Sequence, residues 1–377
     1  MIYFDNAATT KVRQEAVDIM VKAMTVDFAN PSALHSFGHR VEKEIELARD
    51  KVARALKVKA SEIYFISCGT EGNNIAIRSF GDNGHNKEFI TTEIEHSSVK
   101  KTYESLGLNN LKVLSVIHEG RIDLEELENS IDENTAMVSI MHVNNEIGVV
   151  NPIEEIGNII KKKNKDCIFH VDGIQGFGKV GLDLNKAKVD IYTISGHKFH
   201  APKGIGAMFV RDGVNVRPVI TGGGQERGIS SGTENVPGIL ALGEMCEIIG
   251  NNLMDNYARV MEVKNHLIEK LEKMDDIIIN SKGENFSPYI LNVSIKDVRG
   301  EVLLHYLESK EIYISTGSAC NKNNISPVIK ALGVDGDHAL GTVRISFSDE
   351  STIEECDEFF KEFEVAVNDI RSIVGRN

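Results

Sequence analysis

The 377-residue sequence has few cysteines and no excess of positive charge. Its five cysteines are an odd number without CxxC spacing, which argues against a disulfide framework and against a thiolate zinc site. The formal charge is −14, so the protein surface would repel the phosphates of nucleic acids and of anionic membranes. We therefore expect neither direct nucleic-acid binding nor membrane attachment.

Long apolar runs are also missing. No stretch approaches the length that spans a bilayer, and residues 1–5 lack the basic start and apolar core of a signal peptide. The cysteine usage fits a reducing compartment, so we expect a soluble, cytoplasmic protein. A chain of 377 residues can bury a sizeable core and is long enough for two domains.

Short apolar runs alternate with helical stretches in the first two thirds of the chain. The runs lie at 62–66, 88–91, 111–116, 136–142, 168–171, 189–194 and 206–210. Helical periodicity is found at 12–24, 41–56, 124–131 and 153–163. This alternation predicts an α/β architecture with a mainly parallel seven-stranded sheet that is covered on both faces.

The order of elements changes after residue 250. One long helical stretch at 253–274 is followed by short strand patterns and by an amphipathic helix at 353–374, which Thr352 and Glu355 can start with a capping box. The strand patterns lie at 289–295, 312–315 and 343–347. We predict a large domain over 13–250 and a smaller α+β domain over 251–377, with residues 1–12 packing on the smaller one.

Lys198 follows the run 189–194 and is preceded by Ser195, Gly196 and His197. In an open α/β sheet, ligands collect beyond the carboxyl ends of the strands. An amine held among apolar walls and other cations has a lowered pKa and can act as a nucleophile that carries a carbonyl cofactor as a Schiff base. The alternative is a surface lysine that happens to follow a strand.

Two further features narrow the choice of cofactor. Asp172 directly follows the run 168–171. A buried acid needs a cationic partner, such as a protonated pyridine nitrogen. Thr70 lies in a glycine-containing turn, 67–74, whose amides could bind a phosphate at the start of a helix. Together with Lys198, these residues supply what pyridoxal 5'-phosphate needs.

Several polar side chains could complete such a site. Gln175 could hydrogen-bond the ring oxygen of the cofactor, His96 could stack on its ring, and Ser195 and His197 could bind its phosphate. Each of these residues, taken singly, is more often a satisfied capping or core residue, but that interpretation is weaker for a set that follows several different strand ends.

Cys320 lies in a stretch of small and polar residues, 315–324, which includes a lysine. These surroundings favour a reactive thiolate over a core cysteine. Arg344 is a charge within an apolar strand pattern and suits a substrate carboxylate, although a structural ion pair is the alternative. The glycine-dense stretch 222–233 could approach a ligand or a second subunit closely, or could be a flexible loop.

A metal site is not expected. His35 and His39 stand four residues apart and could share a helical face, but no third ligand is evident.

The motifs resemble those of the cysteine desulfurases of the NifS/IscS type, within the class V aminotransferase family. The matching stretches are 3–10, 69–71, 95–96, 142–148, 170–172, 195–198 and 317–320. The resemblance runs end to end and keeps the motif order. It implies the fold of the pyridoxal-phosphate-dependent transferases (fold type I), a homodimer, and conversion of L-cysteine to L-alanine.

The resemblance also implies a role for each residue. Lys198 would carry the cofactor, Cys320 would receive sulfur as a persulfide, and His96 would assist proton transfer. Arg344 would hold the substrate carboxylate with help from Asn145, and Thr233 would reach the phosphate from the other subunit. The implied cofactor-binding residues are Gly69, Thr70, Asn145, Asp172, Gln175, Ser195, Gly196, His197, Lys198 and Thr233.

The sulfur acceptor stays open. The stretch 321–327 differs from the housekeeping iron–sulfur members and is slightly shorter, so the acceptor could be an iron–sulfur scaffold or a tRNA-thiolating enzyme. An aminotransferase, a selenocysteine lyase and a non-enzymatic sulfur carrier with a degenerate site are the alternative functions.

Overall fold

The computed structural model describes residues 1–82, 84, 86–316 and 325–374. Among these residues the chain forms twelve α-helices and twelve β-strands. The helices are α1 (Gln14–Thr25), α2 (Ser36–Leu56), α3 (Gly69–Gly81), α4 (Ser97–Leu106), α5 (Leu124–Ser130), α6 (Ile153–Lys163), α7 (Val236–Asn251), α8 (Leu253–Leu271), α9 (Gly300–Glu308), α10 (Pro327–Ala331), α11 (Gly336–Ala339) and α12 (Ile353–Val374). The strands are β1 (Ile2–Tyr3), β2 (Ile63–Ile66), β3 (Glu88–Thr92), β4 (Leu111–Leu114), β5 (Thr135–Met141), β6 (Ile168–Asp172), β7 (Ile191–Ser195), β8 (Gly206–Val210), β9 (Ile277–Ile279), β10 (Ile290–Ile295), β11 (Ile312–Tyr313) and β12 (Thr342–Ser346).

The central sheet contains seven of these strands in the order β2-β8-β7-β6-β5-β3-β4. The pairs from β7 to β4 are parallel, whereas β8 runs antiparallel to both β2 and β7. Each strand corresponds to one predicted apolar run, so the mainly parallel seven-stranded sheet is confirmed. Strands β7 and β8 are buried along their whole length, because helices cover both faces of such a sheet.

Helices α1, α2 and α7 pack together against one face of this sheet. Apolar residues of α2 recur every three or four positions, from Val41 and Ile45 to Leu56, and all three are buried. Burying one such side chain contributes roughly 1.5–3 kcal/mol. Helices α2 and α7 pack closely at Gly243, where an added Cβ would lie 2.8 Å from Ala48 Cα. A branched residue at Gly243 would therefore force the helices apart.

A second core surrounds the antiparallel sheet β12-β10-β9. Ile2 and Phe4 from the start of the chain pack into this core, and the Phe4 ring lies edge-on to Phe347 at 5.2 Å between centroids. Strand β1 pairs in parallel with β11. The domain boundary at residue 250 stays a prediction.

The structure differs from the sequence prediction at the start of α2. This helix begins at Ser36 rather than near residue 41, because His35 caps it: Gly38 N donates to His35 Nδ1 at 3.0 Å. His39 Nδ1 lies 2.9 Å from Glu42. Within the described residues, no group of side chains could hold a metal ion.

The start of α12 confirms the predicted capping box. Thr352 N donates to Glu355 Oε2 at 3.1 Å, and Glu355 N donates to Thr352 Oγ1 at 3.2 Å. Across the ranges that the structure describes, no helix is both long and apolar enough to cross a membrane.

Candidate active site

The polar residues that follow β3, β6 and β7 come together at the carboxyl edge of the central sheet. His96 follows β3, Asp172 ends β6, and Lys198 lies in the short turn after β7. Asp172 acts electrostatically on the other two, and Lys198 acts on His96. The topology therefore assembles three residues that are distant in sequence.

Lys198 is held by the N-terminal segment of the chain. Its Nζ donates to the carbonyl oxygens of Ala7 and Ala8, each at 2.8 Å. The pKa of Lys198 is lowered to about 8, chiefly by burial and then by the charge of Arg344, while Asp5 and Asp172 oppose the shift. An amine with this pKa is a far better nucleophile near neutral pH than an ordinary lysine.

Asp172 is 3 % exposed, and both of its carboxylate oxygens accept hydrogen bonds. Ile174 N donates to Oδ1 at 3.0 Å and Asn73 Nδ2 donates to Oδ2 at 2.8 Å. Both donors are neutral. Burial raises the pKa of Asp172, because desolvation of the carboxylate outweighs the hydrogen bonds and the positive charges nearby. A buried acid in these surroundings favours a cationic ligand.

A hydrogen-bonded network links Asp172 to His96, and sequence reasoning missed its middle members. Asn73 Nδ2 also donates to Ser98 Oγ at 2.9 Å, and Ser98 Oγ lies 2.8 Å from His96 Nδ1. Ser98 N donates to the same Nδ1 at 3.1 Å, so a neutral ring carries its hydrogen on Nε2. Asn73 stands four residues after Gly69 on α3, which is the signal that could have placed it at the site.

The protonation of His96 depends on the same neighbours. Desolvation lowers the pKa of His96 and Lys198 lowers it further, whereas Asp172 raises it. The His96 ring is therefore favoured as a neutral group whose Nε2 can donate or exchange a proton.

Arg344 lies in β12 and is 5 % exposed. Its Nη1 donates to Asn145 O and its Nη2 donates to Asp5 Oδ1, both at 2.8 Å. Its buried Nε has no hydrogen-bond partner among the described residues. The structural ion pair that the sequence analysis gave as an alternative is therefore present, and binding of a substrate carboxylate by Arg344 stays a prediction. Asp5 was not singled out from the sequence.

Gln175 is buried in the turn after β6, and its Nε2 donates to Ala7 O at 2.8 Å. The same carbonyl oxygen accepts from Lys198. Gln175 and Lys198 therefore share the Ala7 carbonyl oxygen as a hydrogen-bond acceptor.

The turn that leads into α3 packs against the turn that follows Asp172. Cys68 precedes the helix and makes no side-chain cap, so the amides of the first turn near Thr70 are not capped by it. Thr70 is exposed. Gly69 packs closely here, because an added Cβ would lie 2.2 Å from Ile174 Cδ1 and would displace that side chain. The close packing fixes the start of α3 against the Asp172 turn.

Ser195 and Gly196 are buried at the end of β7. A Cβ on Gly196 would lie 3.0 Å from Ala201 Cβ, so the backbone is closely packed before Lys198. His197 Nδ1 lies 3.2 Å from Thr9 Oγ1, and burial lowers the pKa of His197 to about 4. The ring is therefore a neutral hydrogen-bonding group.

Thr233 is exposed on the glycine-dense loop. Glu226 anchors this loop to α2 and β2, because its carboxylate accepts two hydrogen bonds from Arg49 at 2.7 and 2.8 Å and one from Phe65 N at 2.8 Å. Gly232 N donates to Gln225 Oε1 at 3.0 Å. The loop is thus held by an internal hydrogen bond between Gly232 and Gln225 and by the contact of Glu226 with Arg49.

Cys320 lies outside the described residues. The chain approaches residues 317–324 at Ser315, whose N donates to Arg344 O at 3.1 Å. It leaves them near Ser326, whose hydroxyl donates to Glu146 beside Asn145. One flank of the segment that carries Cys320 therefore contacts Arg344, and the other contacts the residue next to Asn145.

Comparison with known proteins finds one family model and several cysteine desulfurases that match this chain. A family model described as Aminotransferase class-V matches residues 2–359. A cysteine desulfurase of Trichormus azollae is 40 % identical, with 99 % of this chain and 94 % of that protein covered. The cysteine desulfurase IscS of Methanosarcina thermophila is 38 % identical, with 99 % and 93 % covered.

Solved structures of related proteins superimpose on almost the whole of this chain. One described as a NifS-like protein has a TM-score of 0.92 and 38 % identity, with 97 % of this chain and 99 % of that chain covered. Another, described as SspA in complex with cysteine, has a TM-score of 0.81 and 33 % identity, with 93 % and 100 % covered.

Proposed function

The chain belongs to the class V aminotransferase family, and we propose that it acts as a cysteine desulfurase that uses pyridoxal 5'-phosphate. It converts L-cysteine to L-alanine and transfers the sulfur to Cys320. The observation that carries this proposal is the buried Asp172 carboxylate, whose hydrogen-bond donors among the described residues, Asn73 and Ile174, are neutral. It lies near Lys198, an amine with a pKa of about 8.

The residues of the site fit the cofactor. The Asp172 carboxylate would pair with the protonated ring nitrogen, Lys198 would hold the aldehyde carbon, and Gln175 and Asn145 would lie toward the ring oxygen. The first turn of α3, at Gly69 and Thr70, offers backbone amides for the phosphate. The remaining phosphate ligands would be Ser195, Gly196, His197 and, from a second subunit, Thr233.

The bound cofactor would supply an electron sink for bond cleavage on the substrate amino acid. Arg344 would orient the substrate, because its buried Nε is a donor with no partner in the described part of the chain. Lys198 would move the proton of the substrate α-carbon, and His96 Nε2 would exchange a proton at the exposed side of the site. The Cys320 thiolate would attack the substrate sulfur, so that cysteine and the enzyme thiol become alanine and an enzyme persulfide.

The proposed assembly is a homodimer in the cytoplasm that passes its sulfur to an acceptor protein, either an iron–sulfur scaffold or a tRNA-thiolating enzyme. The cysteines that the structure describes support a reducing compartment, because all of them are free thiols: Cys68, Cys167, Cys246 and Cys356.

The test is to incubate the purified protein with L-cysteine and to measure alanine and the mass of each cysteine-containing peptide. We expect alanine together with added sulfur on the Cys320 peptide. The peptides of the buried Cys167 and Cys246 are internal controls and should stay unmodified. Alanine without sulfur on Cys320 would assign the lyase activity to another route, and the absence of both products would refute the proposal.

A further inference from the structure

Lys179 is a buried cation that the proposed mechanism does not use. It is 5 % exposed, and its Nζ donates to Gln175 Oε1 at 2.8 Å. The Tyr289 ring lies 5.8 Å from Nζ. Burial lowers the pKa of Lys179 to about 7, with Lys198 and Arg344 acting in the same direction and Asp349 opposing it. A methionine would fill similar space without this desolvation cost, so packing alone does not explain a lysine here.

The turn that carries both residues is tightly constrained. Phe177 N donates to Gly173 O at 2.8 Å, and Lys179 N donates to Gly176 O at 3.1 Å. A Cβ on Gly173 would lie 2.0 Å from the Tyr192 ring, and one on Gly176 would lie 2.0 Å from His142 Nδ1. Neither glycine tolerates a side chain, so the backbone holds Gln175 and Lys179 in a fixed relation.

An ammonium group has three donors and no acceptor, so it can pair only with the oxygen end of an amide. The Gln175 amide is therefore oriented with Oε1 toward Lys179 and Nε2 away from it. One hydrogen of the NH2 group is taken by Ala7 O, which also accepts from Lys198. Counting only described residues, the second hydrogen has no acceptor.

We propose that Lys179 is a positioning residue, which holds the Gln175 oxygen so that the Gln175 NH2 group donates to the ring oxygen of the cofactor. This inference rests on the proposed function, because it needs pyridoxal 5'-phosphate as the ligand. Lys179 itself acts through Gln175 and does not touch the cofactor. Without the ammonium, the Gln175 oxygen loses its buried donor and the amide can rotate.

The test measures binding rather than turnover. Apoprotein at about pH 6, below the pKa of about 7 for Lys179, is titrated with pyridoxal 5'-phosphate and with its analogue that lacks the 3-hydroxyl group. The dissociation constant of the analogue divided by that of pyridoxal 5'-phosphate is the preference for the natural cofactor, and this ratio reports the hydrogen bond to the ring oxygen. We expect Lys179→Met to reduce the preference for the natural cofactor about 3- to 10-fold, the usual effect of one hydrogen bond.

The chain offers a matched control in Lys264. It is 2 % exposed, burial lowers its pKa to about 7, and it donates to Ser287 O at 2.9 Å in the second core. Lys264→Met should therefore change stability but keep the wild-type ratio. Gln175→Ala should lower the preference at least as far as Lys179→Met, and adding Lys179→Met to it should cause no further loss, because Lys179 acts through Gln175.

If Lys179→Met does not fold, Lys179→Gln takes its place, because a neutral amide satisfies Gln175 from either end and no longer fixes its direction. It too should lower the ratio. A Lys179 variant that folds and keeps the wild-type ratio would overturn the inference and leave the proposed function standing. A wild-type protein that binds neither compound would overturn both.

Discussion

Arg344 and Asp5 form an ion pair at the edge of the candidate site, with 2.8 Å between Arg344 Nη2 and Asp5 Oδ1. Asp5 therefore occupies one of the donors that would bind a substrate carboxylate. The same carboxylate raises the pKa of Lys198, which burial and Arg344 lower. Asp5 is thus a shared counter-ion for Arg344 and Lys198.

Asp5→Asn should lower the pKa of Lys198 below its wild-type value of about 8. Arg344 keeps its charge but loses its counter-ion, which disfavours a second positive charge nearby. Because only the neutral amine reacts with the cofactor aldehyde, the pH profile of cofactor incorporation should move to lower pH. The rate of absorbance change on adding pyridoxal 5'-phosphate to apoprotein, measured against pH, gives the shift. Asp18→Asn, at an exposed position on α1, should leave the profile unmoved; an unmoved profile in Asp5→Asn would refute the coupling.

Asp172→Asn should separate stability from activity. The buried charge disappears, and Asn73 can rotate its amide, since Asn73 Oδ1 is buried without a partner among the described residues. We expect the variant to fold with a melting temperature near that of the wild type. Loss of the charge that would face the ring nitrogen should lower turnover of L-cysteine by at least about 100-fold. Asp166→Asn, at an exposed position after α6, is the control, and near-normal turnover in Asp172→Asn would remove Asp172 from the proposed role.

Glu95 should make the fold less stable at alkaline pH. Burial raises the pKa of Glu95 from 4.5 to about 8, although Met141 N and Thr92 Oγ1 donate to its Oε1. The folded state therefore binds this proton more tightly than the unfolded state, and stability is lost as pH rises from about 4.5 through 8. A shift of this size corresponds to at most about 5 kcal/mol, at 1.36 kcal/mol per pKa unit.

Glu95→Gln carries no such proton, so its melting temperature relative to the wild type should rise between pH 5 and pH 8 and then level off. Glu128, an α5 residue that pairs with Lys162 at the surface, provides the control substitution Glu128→Gln. A difference between Glu95→Gln and wild type that does not vary with pH would contradict the assignment.

Local sequence patterns were sufficient for much of the fold. Helix α6 has the predicted bounds, and Thr352 caps α12 as expected, because such features depend on neighbouring residues. The pairing of β1 with β11 joins residues about 310 positions apart, and no local pattern encodes it. The same reason hid the role of Asp5, which forms its ion pair only when a distant strand brings Arg344 beside it.

The loop that carries Thr233 should depend on the buried ion pair of Arg49 and Glu226. Their side chains are 8 % and 6 % exposed, and Glu226 also accepts from Phe65 N at 2.8 Å. Glu226 and Arg227 have left-handed φ angles of 47° and 54°, a conformation that costs energy and needs such an anchor. Breaking a buried pair from one side typically costs about 3–5 kcal/mol, because the other charge stays buried.

Glu226→Gln should therefore lower the free energy of unfolding by about that amount, and weaken cofactor binding if the loop contributes Thr233 to the phosphate. The matched control is Glu46→Gln, because Glu46 contacts the same arginine at 3.1 Å but is 60 % exposed. An exposed pair contributes at most about 1 kcal/mol. Denaturant unfolding and cofactor titration of both variants compare the two partners directly. Equal effects would show that the buried contact does not anchor the loop, whereas a large effect of Glu226→Gln alone on both measurements would link the anchor to the site.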